Sequence, residues 1–350
     1  MRESVMKDNI IEIRNLAVHF ATDEGIVKSV DGVDLNIKKG RTLGIVGESG
    51  CGKSVTSQAL LRIVPGSGKV TGQILLYEQN GKTLEEPIDL VKLSSNGDTI
   101  RKIRGGTIGM IFQEPMKAFS PLHTIGNQII EGIMLHNEPD PDKARKIAIE
   151  ALREVGMANP ERRIDEYPHQ LSGGMRQRAM IAMALSCNPS LLIADEPTTA
   201  LDVTIQAQVL KMITDLKNSR NGTVVFITHD LGVIAEMAND VAVMYLGKVV
   251  EYANVDTIFH GARHPYTLSL LKSIPSMTGG SKSKLFTIEG TVPYAMNLPP
   301  GCGFYSRCPF GVDGKCNVKD IEYVETSMNH FVRCLFADHM EVRRHVGNEK

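Results

Sequence analysis

The 350-residue sequence lacks long apolar runs and an excess of either charge. Its apolar runs, such as residues 180–185 and 191–194, are far shorter than the ~20 residues that a membrane-spanning helix needs. No basic and apolar signal is visible at the N-terminus. We therefore expect a cytoplasmic protein that reaches a membrane only through partner proteins.

The charge balance argues against nucleic acid as a partner. A formal net charge of −1 and a pI near 6.8 give no basic field for a phosphate backbone. The hydrophobic share of 42% and the charged share of 23% are ordinary for a globular protein with a sizeable core. At this length we expect two domains.

Hydrophobic periodicity predicts an α/β fold. Residues 10–20 and 28–37 alternate apolar with polar and flank a glycine-containing turn, which is typical of an antiparallel pair. Residues 124–156 have a helical period and predict a helical insert. Later strands alternate with helices, which indicates a parallel sheet with helical crossovers. The remaining predicted strands are 41–46, 71–77, 107–112, 191–194, 223–227 and 241–245, and the remaining predicted helices are 53–63, 203–218 and 231–238.

Two segments give no clear period. The polar stretch between residues 77 and 107 predicts a surface excursion. Beyond residue 261 the composition shifts to proline, glycine, serine and cysteine, and regular periodicity fades.

Residues 47–54 have the pattern G-x-x-x-x-G-K-S after an apolar strand and before a helix. In this context the pattern predicts a loop whose backbone wraps phosphates. Lys53 would neutralise β- and γ-phosphate oxygens, and the Ser54 hydroxyl would ligate Mg²⁺. The nucleotide-binding residues predicted in this segment are Gly47, Glu48, Ser49, Gly50, Cys51, Gly52, Lys53, Ser54 and Val55.

Two adjacent carboxylates follow the apolar residues 191–194 at the predicted end of a strand. Asp195 would hold Mg²⁺, and Glu196 would orient or deprotonate water. One carboxylate would serve the metal and the other the nucleophile.

A second anion site is predicted at residues 171–177, Leu-Ser-Gly-Gly-Met-Arg-Gln, ahead of an amphipathic run. A helix N-terminus there would hold an anion through backbone N–H groups and the Ser172 hydroxyl, with Gly173 and Gly174 beside it. Two anion sites in one ATPase make sense if the second serves a nucleotide bound by another subunit.

Together, and in this order, these motifs resemble the ATP-binding cassette (ABC) ATPases over nearly all of residues 10–260. The resemblance implies a P-loop nucleotidase fold with a RecA-like parallel core, an antiparallel β subdomain and a helical subdomain. It also implies that hydrolysis needs a dimer, in which Ser172 and Gly174 of one subunit close over the ATP of the other.

The resemblance implies roles for further residues. Gln113 would touch Mg²⁺ or the attacking water, and His229 would lie at the γ-phosphate. Asp202 would couple the two sites of the dimer, and Phe20 would either stack on adenine or belong to the core. The expected catalytic residues are then Glu196, His229, Gln113 and Lys53, and the expected Mg²⁺ ligands are Ser54, Gln113 and Asp195.

The C-terminal part carries a second resemblance. Residues 264–275 and 298–309, with His-Pro-Tyr and Ser-Arg-Cys-Pro motifs, are similar to the tail of oligopeptide and dipeptide importer ATPases. Residues 115–125 are similar to the segment that meets the permease in that subfamily. The expected boundaries are 8–262 for the ATPase domain, with a helical subdomain at about 114–186, and 263–350 for the extension.

This resemblance implies the ATPase subunit of an oligopeptide or dipeptide importer, at the cytoplasmic face of the cell membrane. The expected partners are a second homologous ATPase in a heterodimer, two permease subunits and an extracytoplasmic substrate-binding protein. Oligosaccharides and nickel are carried by the same subfamily, so these cargoes stay open. The alternative from another class is a non-transport cassette ATPase that acts in DNA repair or on the ribosome. Repair members carry a long coiled coil and ribosomal members a second cassette, and the sequence shows neither.

Four of the six cysteines lie in the extension, whereas Cys51 and Cys187 stand alone. The four are Cys302, Cys308, Cys316 and Cys334. Their thiolates can supply a tetrahedral zinc or an iron–sulfur cluster, although no C-x-x-C pair is present. Subfamily members with the same cysteine tail imply a [4Fe–4S] cluster, with Zn²⁺ as the alternative. Either group would staple a loop-rich extension.

Overall fold

The computed structural model describes residues 8–198, 203–274, 287–296, 298 and 300–339. The strands are β1 (Asn9–Thr22), β2 (Gly25–Lys38), β3 (Thr42–Val46), β4 (Gly68–Gln79), β5 (Lys82–Asp89), β6 (Ile108–Ile111), β7 (Leu191–Asp195), β8 (Thr223–Thr228), β9 (Asp240–Tyr245), β10 (Lys248–Asn254), β11 (Val324–Ser327) and β12 (His330–Val332). The helices are α1 (Lys53–Leu60), α2 (Asp98–Ile103), α3 (Pro115–Ala118), α4 (Ile125–His136), α5 (Pro141–Glu154), α6 (Pro160–Arg163), α7 (Gly173–Leu185), α8 (Val203–Arg220), α9 (Leu231–Met237), α10 (Val255–Gly261) and α11 (Pro265–Lys272).

The larger sheet carries the residues of interest. Its order is β11-β12-β10-β9-β3-β8-β7-β6, and the five strands from β9 to β6 run parallel. These strands are short, buried and almost wholly apolar, as strands covered on both faces must be. Because parallel strands all end at the same edge, the loops after them meet on one side of the sheet. The predicted parallel sheet is confirmed.

The smaller sheet is antiparallel, with the order β2-β1-β4-β5. The predicted pairing of the first two strands is confirmed: it runs from Thr22 opposite Gly25 to Asn9 opposite Lys38, with bulges or irregularities that shift the register at four places. Inward side chains of this sheet, such as Ile11, Leu16 and Ile74, share a core with the larger sheet. The smaller sheet therefore packs directly against the strands that end at the common edge.

A helical layer follows β6. The predicted helical segment 124–156 divides into α4 and α5, each begun by a side-chain cap. Thr124 accepts a hydrogen bond from Asn127 N, and Asp140 accepts from the backbone N–H groups of residues 142 and 143. The buried face of α4, formed by Ile125, Ile129 and Ile133, packs in one core with α5 and α7.

The two segments without a clear period are more regular than the sequence predicts. The stretch between 77 and 107 contains the edge strand β5 and helix α2, whose Ile100 and Ile103 are fully buried. The stretch has too few apolar residues, over too short a length, for a helical or strand period to be recognised among its polar residues. Beyond residue 261, α11 is a regular helix, and β12 pairs with β10 to continue the larger sheet. Within the described ranges, no helix combines the length and apolar character that crossing a membrane requires.

Candidate functional site

Four predicted site segments converge at the carboxyl ends of adjacent parallel strands. The phosphate-loop segment 47–54 follows β3, and His229 follows β8. Asp195 ends β7, with Glu196 next to it, and Gln113 lies two residues after β6. Sequence positions up to 182 residues apart, from Gly47 to His229, thus meet because the strand order is β3-β8-β7-β6.

Backbone packing fixes the shape of the phosphate loop. Gly47 has φ of 154° and Gly52 has φ of 101°. A Cβ atom at Gly47 would lie 2.2 Å from Met244 O, and one at Gly52 would lie 2.2 Å from Ser29 O. Only glycine fits at either position. Helix α1 begins at Lys53 without a side-chain cap, so its first N–H groups point into the loop, as an anion requires.

Lys53 is held inside the loop, with 5% of its surface exposed. Its Nζ donates to Gly47 O at 2.8 Å and to Glu48 O at 3.1 Å. This geometry places the ammonium group where the loop would wrap a phosphate. The Cys51 Sγ lies 4.0 Å from Lys53 Nζ, and burial raises the pKa of this thiol.

Two of the three predicted Mg²⁺ ligands, Ser54 and Asp195, are in contact. Ser54 Oγ donates to Asp195 Oδ1 at 3.0 Å. Asp195 is 3% exposed, and burial raises the pKa of its carboxyl to about 6, with a further contribution from the Glu196 charge. A hydroxyl and a buried carboxylate form a hard-oxygen donor set, which fits Mg²⁺.

Glu196 lies between two other predicted catalytic residues. Gln113 Nε2 donates to its Oε2 at 3.0 Å, and His229 Nδ1 lies 3.5 Å from its Oε1. The backbone of Glu196 has φ of 47° and is anchored by its N–H to Ile227 O at 2.9 Å. A left-handed conformation at a residue other than glycine costs energy and is common at functional sites. The strained backbone aims this carboxylate at the common edge of the sheet.

The second predicted anion site lies apart from this cluster. Ser172 caps α7 and accepts from Met175 N at 3.4 Å. A Cβ atom at Gly173 would meet no atom within 4 Å, and one at Gly174 would meet only Ile205 Cγ2, at 3.7 Å. Helix α7 packs against β6, which is three strands from β3, or roughly 14 Å at a strand spacing of about 4.8 Å. Ser172 and Gly173 are exposed, Gly174 is partly exposed, and the segment lies away from the phosphate loop.

The remaining predicted nucleotide residues are less informative. Phe20 is half-buried in β1, opposite Val27 and Gly68, and its ring covers Gly68. A stacking role for Phe20 stays a prediction. Asp202 lies outside the described residues.

The sequence did not predict a layer of residues behind the phosphate loop. Tyr266 in α11 and Arg307 in the extension both contact Glu48. Their motifs, His-Pro-Tyr and Ser-Arg-Cys-Pro, mark the resemblance of the tail, but nothing in the sequence indicates that they reach residue 48.

The four C-terminal cysteines line one apolar cavity of about 20 Å³, together with aromatic side chains such as Phe304. Burial raises the pKa of Cys302 and raises that of Cys334 to about 12. Within the described ranges, no three His, Cys, Asp or Glu side chains stand close enough to hold one metal ion. The structure therefore brings the four cysteines to one cavity but does not confirm a metal group there.

Comparison with known proteins matches both parts of the chain. Residues 30–199 match the ABC transporter family, and residues 250–316 match the oligopeptide/dipeptide transporter C-terminal region. The oligopeptide transport ATP-binding protein AppD of Bacillus subtilis is 48% identical over 94% of this chain and 97% of its own length. The dipeptide transport ATP-binding protein DppD of the same organism is 46% identical over 86% of this chain and 87% of its own length.

Solved structures agree with the fold of the first part. A dimeric bacterial ABC transporter cassette has a TM-score of 0.59 and 28% identity, and it covers 70% of this chain and 98% of its own. The same cassette in a dimeric post-hydrolysis state, bound to ADP and Pi, has a TM-score of 0.59 and 29% identity. With a phosphate loop, predicted Mg²⁺ ligands and a carboxylate that meet at one edge of the sheet, the chain belongs to the ABC transporter ATPases and carries the C-terminal region of the oligopeptide/dipeptide transporter family.

Proposed function

We propose that this chain is the ATP-hydrolysing subunit of an importer for oligopeptides or dipeptides. The observation that carries the proposal is one complete phosphate-binding half-site joined to a C-terminal region of the oligopeptide/dipeptide type at residues 250–316. The names of AppD and DppD, whose identity to this chain extends over its C-terminal part, support peptides as the cargo. In this function, two permease subunits and an extracytoplasmic binding protein are the partners, and the chain is peripheral at the cytoplasmic membrane face.

The half-site divides the chemistry among its residues. Lys53 and the N–H groups of α1 bind the phosphates, and Ser54, Asp195 and Gln113 would hold Mg²⁺, which supplies positive charge to the β- and γ-phosphates. Glu196 orients water and accepts its proton, since it lies at the strand end beside Gln113 and His229.

The exposure of Ser172 and Gly173 supports a dimer in which residues 172–174 bind the ATP of a second, homologous ATPase. In that arrangement Asp202 couples the two sites and Phe20 stacks on adenine. A test is to label the purified transporter with a photoreactive ATP analogue. Ser172→Arg in this chain should reduce labelling of the partner subunit and preserve labelling of this one. Loss of labelling on this chain instead would place residues 172–174 in its own site.

For the extension, residues 263–350, we propose a [4Fe–4S] cluster on the four cysteines, with zinc as the alternative. The support is the donor set, since thiolates are the ligands that soft metals prefer and all four cysteines line one cavity. Anaerobic purification should then give about four irons per chain. A content of one zinc per chain without iron would show that the site binds zinc instead. If the protein contains neither metal, the cysteines are packing residues.

The cargo is tested by reconstituting the ATPase pair with its permeases and binding protein in vesicles. Uptake of short peptides, dependent on ATP inside the vesicle, is the expected result. Uptake of oligosaccharides or nickel with no uptake of peptides would reassign the cargo. Copurification with ribosomes or DNA rather than permeases would favour the non-transport alternative.

A further inference from the structure

The C-terminal extension contacts the phosphate loop through an arginine. Arg307 Nη1 lies 2.7 Å from Glu48 Oε2, and Nη2 lies 3.0 Å from Oε1, so the two groups form a bidentate ion pair. The Arg307 side chain is only 5% exposed and that of Glu48 is 26% exposed. A paired, planar and sheltered geometry of this kind is the strong class of charged hydrogen bond.

Several other contacts fix both partners. Tyr266 OH accepts from the backbone N–H of Glu48 at 2.9 Å, and Tyr266 is fully buried. Arg307 donates to Tyr245 OH at 3.3 Å and through Nε to Glu289 O at 3.1 Å. Its guanidinium also lies 5.9 Å from the ring centres of Tyr245 and Phe304. These contacts therefore orient the guanidinium of Arg307 independently of its ion pair with Glu48.

This ion pair bears on phosphate binding for two reasons. First, Glu48 O accepts from Lys53 Nζ at 3.1 Å, so a shift of residue 48 would move an anchor of the loop lysine. Second, Glu48 places a negative charge within the same eight-residue loop that must hold a polyanion. An uncompensated carboxylate there would repel the phosphates, whereas a bidentate arginine neutralises it.

We propose that Arg307 is a positioning residue of the ATP site. Together with Tyr266 it holds Glu48 and the phosphate loop in the form that accepts ATP, so the extension sets the affinity of the site for nucleotide. The proposal rests on the ATPase activity of the chain and is independent of the transported cargo and of any metal bound by the cysteines.

The experiment measures ATP hydrolysis by the full-length chain assembled with its partner ATPase, with saturating Mg²⁺, as a function of ATP concentration. Arg307→Ala should raise KM for ATP by about tenfold and change kcat by less than about twofold. The reason is that the geometry and charge of the loop affect bound ATP and the transition state equally. Arg307→Lys should recover part of the affinity, since lysine restores the charge without the fork. An unchanged KM in Arg307→Ala would overturn the proposal.

A matched control separates positioning from general damage to the extension. Arg333 is a partly buried arginine of the extension that donates to Val249 O and Ile321 O at 3.2 and 2.9 Å and lies over the Tyr323 ring. Arg333→Ala should lower the melting temperature and leave KM for ATP unchanged. An equal rise of KM in both variants would make the role of Arg307 merely structural.

The partner of Arg307 provides a test that does not need Arg307→Ala to fold. In a Glu48→Gln background the arginine has no carboxylate to pair with, so Arg307→Lys should no longer alter KM. If Arg307→Lys changes KM by the same factor with and without Glu48, the ion pair does not carry the effect. Iron and zinc content, measured on each variant, should match the unaltered protein, since a lost metal would point to the cysteines instead.

Discussion

The chain has two glycine-rich helix N-termini, and their surroundings differ. At the start of α1, backbone atoms pack tightly against the glycines, and Tyr266 and Arg307 contact Glu48. At the start of α7, a side chain at Gly173 would meet no atom within 4 Å. Both ends offer free N–H groups to an anion, but only the first is enclosed by its own chain. A phosphate site completed internally can bind nucleotide alone, whereas the open one needs a surface from outside.

The largest expected effect is at the enclosed site. Glu196→Gln keeps the shape of the side chain and its contact with Gln113 but removes the base, so turnover should fall by ~10²–10⁴-fold. ATP binding should persist, and the trapped nucleotide should hold a dimer that is visible by gel filtration. Phosphate release and ATP binding are measured on the same sample. Glu236→Gln, on an exposed position of α9, is the control. Near-normal hydrolysis would remove Glu196 as the base.

Matched glycine substitutions test the contrast directly. Gly52→Ala puts a methyl 2.2 Å from Ser29 O at φ of 101°, so ATP affinity should fall by roughly 100-fold or more. Gly173→Ala has open space and should leave the ATP affinity of the isolated subunit within about twofold of normal. In the assembled dimer the same change should lower turnover. Calorimetric titration of the isolated subunit gives both affinities, and a comparable loss in both would abolish the distinction.

The enclosed site should also respond to pH. Burial raises the pKa of Asp195 to about 6, so below that pH the ligand is protonated and Mg²⁺ affinity should fall by up to about tenfold per pH unit. Because the pKa of Asp195 in the folded protein lies above its ordinary value of 3.8, the metal-free protein should lose stability as pH rises from about 4 through about 6. Asp195→Asn should abolish both dependences, measured by Mg²⁺ titration and by urea unfolding. A flat Mg²⁺ affinity between pH 5 and 7 would contradict the shift.

The smallest expected effect is at the open helix end. Ser172→Ala removes a long cap bond to Met175 N and should lower the free energy of unfolding by about 0.5–1 kcal/mol. Thr124→Ala removes the shorter cap bond of α4, 3.2 Å to Asn127 N, and is expected to cost at least as much. Urea unfolding compares the two. A much larger loss for Ser172 would show that this hydroxyl has a structural role beyond its cap.

Motifs with a local geometry were predictable from the sequence, and contacts made at long range were not. The phosphate loop, the Asp195 and Glu196 strand end and the parallel strands all show in short windows, because spacing alone fixes their conformation. Strand β5 was missed because an edge strand needs few apolar residues. The ties of Tyr266 and Arg307 to Glu48 were missed because no local pattern reports a partner more than 200 residues away.

The Arg307 and Glu48 ion pair joins residues separated by 259 positions in the chain. During synthesis at ~5–20 residues per second, the arginine leaves the ribosome roughly 13–50 s after the glutamate. The phosphate loop therefore exists for that interval with the Glu48 charge unpaired. If Arg307 sets the affinity of the site as proposed, tight binding of ATP must wait until the arginine has emerged, 259 positions after Glu48.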